Sequence, residues 1–550
     1  MPKQLKVVMA QLNLLVGDIQ GNTTKIIEGA LEAKRVFAAD IVTFPELSLT
    51  SYPPEDLLLR PSLKLRIDKA LQRILDADLD IYLVVGYPLN EQGRLYNALS
   101  VIKGSQIITS YRKQCLPNYQ VFDERRYFTA GQNAAVVEIQ GFKVALTICE
   151  DMWEEGPTLQ AAEAGAQLLL NINASPYHRD KPLERAQLLK ERALLAKCPI
   201  IYTNLVGGQD ELVFDGSSMA VSAQGECIVR APSFEEGFFF LSLSETAQGL
   251  SIDAPQVAPA ALDSTEAGLY KALVLGVRDY VYKNGFKGVV LGLSGGIDSA
   301  LTLAVAADAL GPESVKAVMM PFDYTSQLSL DLAQEQAKTL GVEYSVIPIS
   351  AAFKSFAAAL DEEFAGLPVD VTEQNIQARC RGVMLMAISN KTGRLVLTTG
   401  NKSEIAVGYC TLYGDMAGGF DVLKDVAKTM VYRLCAYRNG LPDAKDAAVI
   451  PIEVIERAPS AELAPDQVDQ DSLPPYDVLD TILELYVEKD MSAAHIIAQG
   501  FDESTVRRVL RLVDINEYKR RQSAVGVRLT TRGFGRDRRY PITSGWELGE

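Results

Sequence analysis

The chain has 550 residues, of which 48% are hydrophobic and 23% are charged, so two or three globular domains are expected and wholesale disorder is excluded. A net charge of −16 makes a general nucleic-acid coat a poor interpretation, and only two histidines exclude a three-histidine zinc site. The seven cysteines form no CxxC pair, no apolar run reaches about 18 residues, and the first residues lack the apolar core of a signal peptide. We therefore expect a soluble cytoplasmic protein with reduced thiols and no membrane partner.

Short apolar runs alternate with amphipathic stretches through residues 1–245. The runs predict strands covered by helices, which indicates a layered α/β or α+β domain. Helices are predicted at Asn22–Ala38 and Pro182–Ala196. The predicted strands are Leu5–Leu12, Ile41–Pro45, Tyr82–Tyr87, Ile107–Tyr111, Val144–Ile148, Leu168–Ile172 and Ile200–Asn204.

Residues 246–264 are predicted to be a linker, because they combine prolines and small residues without periodicity. A second domain is expected at 265–550, where strand, loop and helix alternate as in a doubly wound parallel sheet. Its predicted helices are Glu266–Lys283, Ser299–Leu310 and Leu328–Leu340, and its predicted strands are Gly288–Leu293, Val315–Met320 and Tyr344–Pro348.

A thiol, a carboxylate and an amine each follow an apolar strand in the first domain. Cys149 ends the run VALTIC, Glu46 closes IVTFPE, and Lys113 follows IITSYR. A thiol that attacks an amide must lose its proton, which Glu46 could accept, and Lys113 could stabilise the oxyanion that forms. By spacing alone, a cysteine at the end of a strand is more often a buried small hydrophobe, and a glutamate or lysine in such a position is usually solvated.

Three segments resemble the signature segments of the nitrilase superfamily. They are FPELSLTSYPPEDL, YRKQCLPNYQVFDERRYF and LTICEDMW, which carry Glu46, Lys113 and Cys149 in that order. The resemblance covers most of residues 1–245 and implies an αββα sandwich with an amide-cleaving Glu-Lys-Cys triad.

Four further positions fall where such domains hold substrate glutamine. The resemblance implies this role for Tyr119, Glu124, Ser175 and Lys181. Glu124 resembles a second glutamate near the lysine, and its alternative is a plain ion pair with a neighbouring arginine. A cation and hydroxyl groups suit the carboxylate and amine of a small zwitterion only if a carboxylate complements them.

The segment LGLSGGIDSA, Leu291–Ala300, follows a strand and opens a helix. Its adjacent glycines let backbone N–H groups approach an anion, and the helix directs its positive end at the same place. Ser294 and Ser299 add donors, and Asp298 could hold Mg²⁺ on phosphates. Since GK[ST] is absent, this is not a Walker-type loop. SGGxDS resembles the signature of the PP-loop ATP pyrophosphatases, which implies that a carboxylate is activated as an adenylate and that an amine then displaces AMP.

Segments within residues 375–385, 398–420, 456–463 and 518–542 resemble the NAD synthetases. That resemblance implies contacts to deamido-NAD from Asn375, Arg379, Glu404, Asp415 and Lys519, and Mg²⁺ held by Asp298 and Glu404. Lys428 resembles the basic residue of a second phosphate loop. The residues implied to bind ATP are Gly292, Leu293, Ser294, Gly295, Gly296, Ile297, Asp298, Ser299 and Thr399. Taken singly, these residues are also compatible with an exposed helix face, a helix start or a loop.

Over almost its full length the chain resembles the family of glutamine-dependent NAD synthetases. This implies that ammonia from glutamine amidates deamido-NAD at the expense of ATP, and that the synthetase domain forms a homo-oligomer. Two alternatives stay open. One is another PP-loop amidotransferase, such as a tRNA-modifying enzyme, which the 11 Lys and Arg against 3 Asp and Glu in Arg507–Tyr540 would favour. The other is a non-catalytic scaffold, against which the retained nucleophile and phosphate loop argue.

Overall fold

The computed structural model describes residues 3–247, 249–253, 259–444, 448–460, 462–464, 467, 469–471, 473–547 and 549. The chain divides into two units, Met1–Asp263 and Ser264–Glu550. Among the described residues, no helix combines the length and the apolar character that a membrane crossing requires.

The first unit contains fifteen strands and four helices in its described part. Its helices are α1 (Ile19–Phe37), α2 (Pro61–Asp76), α3 (Glu155–Glu163) and α4 (Lys181–Ala196). Its strands are β1 (Gln4–Gln11), β2 (Ile41–Thr43), β3 (Leu79–Glu91), β4 (Arg94–Gly104), β5 (Gln106–Arg112), β6 (Ala135–Ile139), β7 (Phe142–Ile148), β8 (Leu168–Asn173), β9 (Ile200–Asn204), β10 (Val206–Gln209), β11 (Leu212–Asp215), β12 (Met219–Val221), β13 (Cys227–Arg230), β14 (Gly237–Thr246) and β15 (Gly249–Ile252).

Two sheets form the centre of this unit. One has the strand order β15-β14-β1-β2-β3-β4-β5, and the other has the order β13-β12-β9-β8-β7-β6. Side chains alternate between two cores: Val7 and Met9 of β1 lie in the core between the sheets, whereas Val8 and Ala10 join the core that includes α1 and α2. In the same way, α3 and α4 cover the outer face of the second sheet. Because alternate residues of each strand face opposite sides, each sheet packs on the other sheet with one face and on helices with the other, which makes four layers. The predicted αββα sandwich is confirmed.

All seven predicted strands of this unit occur, but β4 and most of the later strands were missed. The predicted linker region contains β15, which pairs antiparallel with β14 through Leu243 and Ile252. Residues 248 and 254–258 of that region lie outside the described residues. The next helix begins at Thr265, one residue before its predicted start at Glu266.

The second unit has five strands and twelve helices among its described residues. The strands are β16 (Val289–Gly292), β17 (Val315–Met319), β18 (Glu343–Val346), β19 (Leu395–Thr398) and β20 (Phe420–Asp421). The helices are α5 (Thr265–Lys283), α6 (Ile297–Leu310), α7 (Gln327–Leu340), α8 (Ser350–Ala359), α9 (Val371–Thr392), α10 (Lys402–Val407), α11 (Lys428–Asn439), α12 (Ile452–Glu456), α13 (Tyr476–Leu483), α14 (Ala493–Ile497), α15 (Glu503–Ile515) and α16 (Glu517–Arg520).

The sheet of this unit has the order β18-β17-β16-β19-β20, and every neighbouring pair is parallel. The predicted doubly wound parallel sheet is therefore confirmed. The chain leaves β16 to one side for β17 and β18 and returns to the other side for β19 and β20. A crevice is expected beyond the carboxyl end of the strand where this order reverses, which is β16.

The basic segment near the C-terminus uses much of its charge inside this unit. Arg520, Arg528 and Arg538 are buried, and they pair with Glu517 or Asp537. These guanidinium groups stabilise the fold, so the arginine-rich composition of this segment overstates its outward positive charge.

Candidate active sites

A buried lysine lies between two glutamates in the first unit. Lys113 Nζ is 2.8 Å from Glu46 Oε1 and 2.8 Å from Glu124 Oε1. The three side chains are between 0% and 5% exposed. Glu46 follows β2, Lys113 follows β5, and Glu124 begins a single 3₁₀ turn. The fold thus brings together three charged side chains from separate segments of the sequence.

Neutral donors complete this cluster. Asn97 Nδ2 donates to Glu46 Oε1 at 2.7 Å, and the Ala174 N–H donates to Glu46 Oε2 at 3.0 Å. The Tyr52 hydroxyl donates to Glu124 Oε1 at 2.9 Å. Burial alone would lower the pKa of Lys113, but the charges of Glu124 and Glu46 outweigh it and hold that pKa well above its usual value. Lys113 is therefore a permanent cation.

Cys149 follows β7 directly and is the first residue of the short 3₁₀ helix Cys149–Met152. Its φ of +43° is unusual for a residue with a side chain, and such backbone conformations concentrate at functional sites. Burial is the main cause that raises the pKa of its thiol well above normal; the Glu46 charge raises it further and the Lys113 charge lowers it. The thiol is thus protonated at neutral pH, so a nucleophilic role would require a base, and Glu46 is near enough for its charge to raise the pKa of the thiol.

A single carboxylate joins the loop of Lys113 to the turn of Cys149. Asp151 Oδ1 accepts the backbone N–H groups of Gln114 at 3.0 Å and Cys115 at 2.8 Å, and Oδ2 accepts the Ile148 N–H at 3.0 Å. The Tyr111 hydroxyl donates to Oδ2 at 2.8 Å. Sequence reasoning missed Asp151, although it stands two residues after the predicted nucleophile.

Two of the residues implied to hold glutamine, Tyr119 and Lys181, act on an acid that the sequence interpretation also missed. The Tyr119 hydroxyl donates to Glu150 at 2.9 and 3.1 Å from its two oxygens. Lys181 Nζ lies 3.6 Å from the centroid of the Trp153 ring, and its charge acts on both Glu150 and Cys149. Burial lowers the pKa of Lys181 and raises that of Glu150.

Ser175, the remaining residue implied to hold glutamine, is buried, and its backbone N–H donates to Asn204 Oδ1 at 3.0 Å. A site for a zwitterion such as glutamine needs a carboxylate beside the cation and the hydroxyl groups, and Glu150 is such a carboxylate. Its position next to Cys149 was the signal in the sequence that could have identified it.

A cavity of about 550 Å³ lies in the second unit, around the loop after β16. Its wall includes seven of the eight predicted residues of Gly292–Ser299, together with Thr399, Asn375, Glu404, Asp415 and Lys519. Gly295 and Arg379 are not on this wall.

Gly295 instead shapes the loop from behind. Its φ is +79°, and a Cβ atom there would come within 2.5 Å of the Ser329 carbonyl oxygen at the start of α7. The loop is closed by Ser299 Oγ, which accepts the Ser294 N–H at 3.2 Å and donates to the Gly296 carbonyl at 2.9 Å. The loop backbone thereby passes close to the cavity, at the N-terminus of the 14-residue helix α6, which is the arrangement that favours phosphate.

The two carboxylates implied to hold a metal share a lysine. Lys428 Nζ is 2.5 Å from Asp298 Oδ2 and 3.1 Å from Glu404 Oε1. Asn401 Nδ2 donates to Asp298 Oδ1 at 3.0 Å, and Asn401 Oδ1 accepts the Glu404 N–H at the start of α10. Burial raises the pKa of Glu404, which the Lys428 charge partly opposes. For Lys428, burial acts to lower the pKa, but the charges of Asp298 and Glu404 prevail and raise it.

One loop organises the residues implied to contact deamido-NAD. The Thr411 hydroxyl donates to Asn375 Oδ1 at 2.8 Å, and its N–H donates to Asp415 Oδ1 at 2.6 Å. Lys519 Nζ donates to the carbonyl oxygens of Gly408 at 2.8 Å and Cys410 at 2.9 Å.

Arg379 is exposed and donates to the Leu412 carbonyl oxygen, whereas Arg381 lines the cavity and donates to the Met320 carbonyl oxygen. Sequence reasoning passed over Arg381, which stands in the same segment.

Within the described part of the chain, no group of three or more His, Cys, Asp and Glu side chains is arranged to hold a metal ion. A pair of carboxylates such as Asp298 and Glu404 suits Mg²⁺, which proteins usually hold by one or two carboxylates together with substrate phosphates and water. The donor set thus fits a metal that arrives with a nucleotide.

Family models and relatives agree on both units. Residues 6–250 match the carbon-nitrogen hydrolase family and residues 269–523 match NAD synthase. A protein of Acinetobacter baylyi named glutamine-dependent NAD(+) synthetase is 50% identical over 546 residues, which are 99% of each chain. The chain belongs to the glutamine-dependent NAD(+) synthetase family.

Solved structures of this family have the same fold. The glutamine-dependent NAD(+) synthetase of Acinetobacter baumannii, determined in complex with ADP, is 47% identical, covers 100% of both chains and superposes with a TM-score of 0.80. The enzyme of Cytophaga hutchinsonii gives a TM-score of 0.83 over 98% of both chains at 22% identity, which shows that the fold persists when most residues change.

Proposed function

We propose that this chain hydrolyses glutamine at Cys149 and uses the ammonia to convert deamido-NAD to NAD, with release of glutamate, AMP and pyrophosphate. One observation carries the proposal. This chain is 50% identical, over 99% of its length, to a glutamine-dependent NAD(+) synthetase. It has both a buried Glu-Lys-Glu cluster that acts on a cysteine at the end of a strand and a cavity around a phosphate loop.

In the first reaction, Cys149 Sγ attacks the amide carbon of glutamine while its proton passes to Glu46. The negative charge that develops on the amide oxygen is stabilised by Lys113, whose ammonium is already held in place and so needs no reorganisation. The proton then passes from Glu46 to the departing nitrogen, ammonia leaves, and a glutamyl thioester remains. Water, deprotonated by the same carboxylate, cleaves the thioester and restores the thiol.

Recognition of the glutamine backbone follows from the charges beside Cys149. Glu150 offers a carboxylate for the α-amino group, and Lys181 offers a cation for the α-carboxylate. Tyr119 orients Glu150 through its hydroxyl group. This arrangement favours a free amino acid over a neutral amide, because a neutral ligand could not form an ion pair with either Glu150 or Lys181.

In the second reaction, the loop Gly292–Ser299 and the N-terminus of α6 hold the phosphates of ATP. Asp298 and Glu404 would hold Mg²⁺, which would neutralise charge on the departing pyrophosphate. Asn375, Asp415 and Lys519, fixed by the loop around Thr411, position deamido-NAD so that its carboxylate reaches the α-phosphate. Ammonia then attacks the adenylated carbon and AMP leaves.

We further propose that the second unit forms a homo-oligomer. Helix α8 is rich in alanine and phenylalanine; Ala352 and Phe353 pack partly against the core, but no residue of the helix is fully buried and Phe356 is exposed. The nearby apolar side chains of Leu367, Val369 and Val383 are also exposed. A monomer rarely leaves so many neighbouring apolar groups in water, so a second copy is the expected cover. Light scattering should give a mass above the 60.0 kDa of one chain, and the substitution Phe356→Asp should lower that measured mass.

NAD formation tests the proposal directly. Wild type and Cys149→Ala are assayed with deamido-NAD, ATP and Mg²⁺, with glutamine or with ammonium as nitrogen source. We expect the variant to lose glutamine-dependent synthesis and to keep ammonium-dependent synthesis. If ammonia passes directly between the sites, ¹⁵N-ammonium in the medium should enter little of the NAD that wild type makes from unlabelled glutamine.

The same assay separates the alternatives. A wild-type protein that hydrolyses glutamine but makes no NAD from either nitrogen source would act on another acyl acceptor, and ATP cleavage that depends on tRNA would identify a tRNA-modifying enzyme. Absence of ATP cleavage with every acceptor would favour a non-catalytic role.

A further inference from the structure

The ammonium of Lys428 is held in a place that its own helix disfavours. Lys428 is the first residue of α11, and the positive end of the helix dipole repels a cation there. The side chain is nonetheless only 2% exposed, because Asp298 Oδ2 at 2.5 Å and Glu404 Oε1 at 3.1 Å hold its Nζ atom. The two carboxylates are therefore what keeps the lysine inside.

A divalent cation would approach the same two carboxylates that hold the lysine. Asp298 Oδ1 already accepts from Asn401 and Oδ2 from Lys428, so both oxygens of this carboxylate have partners. Magnesium binds carboxylate oxygens at about 2.0–2.1 Å, well inside the distance of an ammonium contact. A metal ion at the same Asp298 and Glu404 carboxylates would be repelled by the ammonium that is already there, so each positive group weakens the binding of the other.

We propose that Lys428 and a divalent metal ion compete for Asp298 and Glu404, so that this chain takes up the metal tightly only together with nucleotide phosphates. The proposal rests on the proposed function, which assigns these carboxylates to the metal. Lys428 also lines the cavity that contains Ser294 and Ser299 of the phosphate loop. Its flexible four-carbon side chain lets the displaced ammonium turn to phosphate oxygens, which replace the carboxylates as its partners.

Exposure supports an exchange rather than a fixed pair. The Asp298 and Glu404 side chains are each 16% exposed, so an ion that enters the cavity can reach them. Binding of the metal and binding of the nucleotide should therefore strengthen each other. The nucleotide phosphates give Lys428 a new partner and free Asp298 and Glu404 for the metal, and the metal in turn frees Lys428 for the phosphates. Metal alone displaces a satisfied ammonium and gains little.

Binding of Mn²⁺ to the full chain, followed by electron paramagnetic resonance, tests the competition without any turnover. We expect wild type to bind Mn²⁺ weakly alone and at least tenfold more tightly with a non-hydrolysable ATP analogue. Lys428→Met should bind Mn²⁺ without the analogue at least tenfold more tightly than wild type, because the competing charge is gone. Lys428→Arg keeps a cation and should remain as weak as wild type.

Two controls locate the effect. Lys424→Met removes a charge from the same segment without touching Asp298 or Glu404 and should not increase Mn²⁺ affinity. Adding Asp298→Asn to Lys428→Met should abolish the gain. Because Lys428→Met leaves two partly buried carboxylates without their cation, its melting temperature should fall and should rise again with MgCl₂, whereas wild type should respond little to MgCl₂ alone.

The outcomes separate this inference from the function on which it rests. If wild type binds Mn²⁺ tightly with the analogue but Lys428→Met shows no gain without it, the competition is wrong and the proposed metal site stands. If no variant binds Mn²⁺ even with the analogue, both are wrong. Should Lys428→Met fail to fold in the absence of metal, Lys428→Gln takes its place, and an unchanged affinity there would overturn the competition equally.

Discussion

Each unit buries a lysine between two carboxylates, yet the surroundings of the two lysines differ. Around Lys113, fixed donors from Tyr52, Asn97 and the Ala174 N–H hold the two glutamates, and no side chain of the trio is more than 5% exposed. Around Lys428, both carboxylates reach a cavity wall and are 16% exposed. From this difference we expect the enclosed ammonium of Lys113 to stay in place and the ammonium of Lys428, which borders a cavity, to exchange its partners.

Removal of the enclosed cation should have the largest effect. In Lys113→Met, glutamine-dependent NAD synthesis should fall by about 10³-fold or more, since the charge that stabilises the oxyanion is lost. Unfolding of the first unit should become easier by about 3–5 kcal/mol, because two buried carboxylates lose their partner. Steady-state assays with each nitrogen source and urea unfolding measure the two effects.

A partly exposed lysine in the same unit gives the matched control. Lys103 pairs with Asp80, whose side chain is 80% exposed, and Lys103→Met should cost at most about 1 kcal/mol. Ammonium-dependent synthesis should stay close to wild type in both variants. Glutamine-dependent activity of Lys113→Met within tenfold of wild type would show that the enclosed trio is structural only.

A buried carboxyl group of the second unit extends the comparison to pH. Burial raises the pKa of Asp421 from 3.8 to about 7, and its Oδ1 has no hydrogen-bond partner among the described residues. The folded state therefore holds a proton that the unfolded state releases, so stability should decrease as the pH rises from about 4 to about 7. Asp421→Asn should remove this dependence and stabilise the unit at pH 8 by up to about 4 kcal/mol. Hydrogen exchange in β19 and β20 at pH 5 and pH 8 measures it.

Asp425 supplies a control of opposite sign. Lys402 and the N–H groups of Leu529 and Thr530 lower its pKa despite burial. Its contribution is present above the unfolded pKa and is lost on acidification, so Asp425→Asn should destabilise the unit at pH 8. A wild-type unit whose stability does not change between pH 5 and pH 8, with Asp421→Asn equal to it, would contradict the inferred proton.

The smallest effect is expected at the edge of the first cluster. Tyr52→Phe removes the hydroxyl group that donates to Glu124, and the glutaminase kcat should fall about fivefold, equivalent to about 1 kcal/mol. Tyr127→Phe makes the same change at a hydroxyl group that donates to Asp56 instead, and should leave kcat unchanged. Equal rates in both variants would mean that Glu124 needs no support from Tyr52.

Sequence reasoning identified the residues whose position in a strand carries the information. Glu46, Lys113 and Cys149 each stand at or just past the end of an apolar run, so the edge of a sheet predicts where they lie. The sequence gives no comparable indication for Tyr52, Asn97 and Asp151. Their roles depend on hydrogen bonds that form only after the two sheets have packed together. The composition and the spacing of apolar residues therefore predict the layers of the fold well. They do not predict which hydrogen-bond partners the buried polar groups find.

Helix α9 shows the same limit at the second site. The residues of α9 that line the cavity recur at helical spacing and form one stripe, to which Arg381 belongs. Arg379 falls off the stripe, although the resemblance placed it at the substrate. In a segment of such weak amphipathicity, the sequence predicts the helix but not which of two neighbouring arginines turns inward. Likewise, nothing in the sequence around Lys428 indicated two carboxylate partners from other segments.

The Asp151 carboxylate has a consequence for how this fold can acquire new substrates. Because one side chain secures both the turn of Cys149 and the loop of Lys113, most replacements at 151 would disturb the two groups that we propose to be catalytic, and selection should eliminate them. Glu150 and Tyr119 carry no such double duty. Lineages or laboratory libraries that change which amide is cleaved should therefore accumulate variation at 119 and 150 while 151 stays constant, which makes adjacent residues evolve at very different rates.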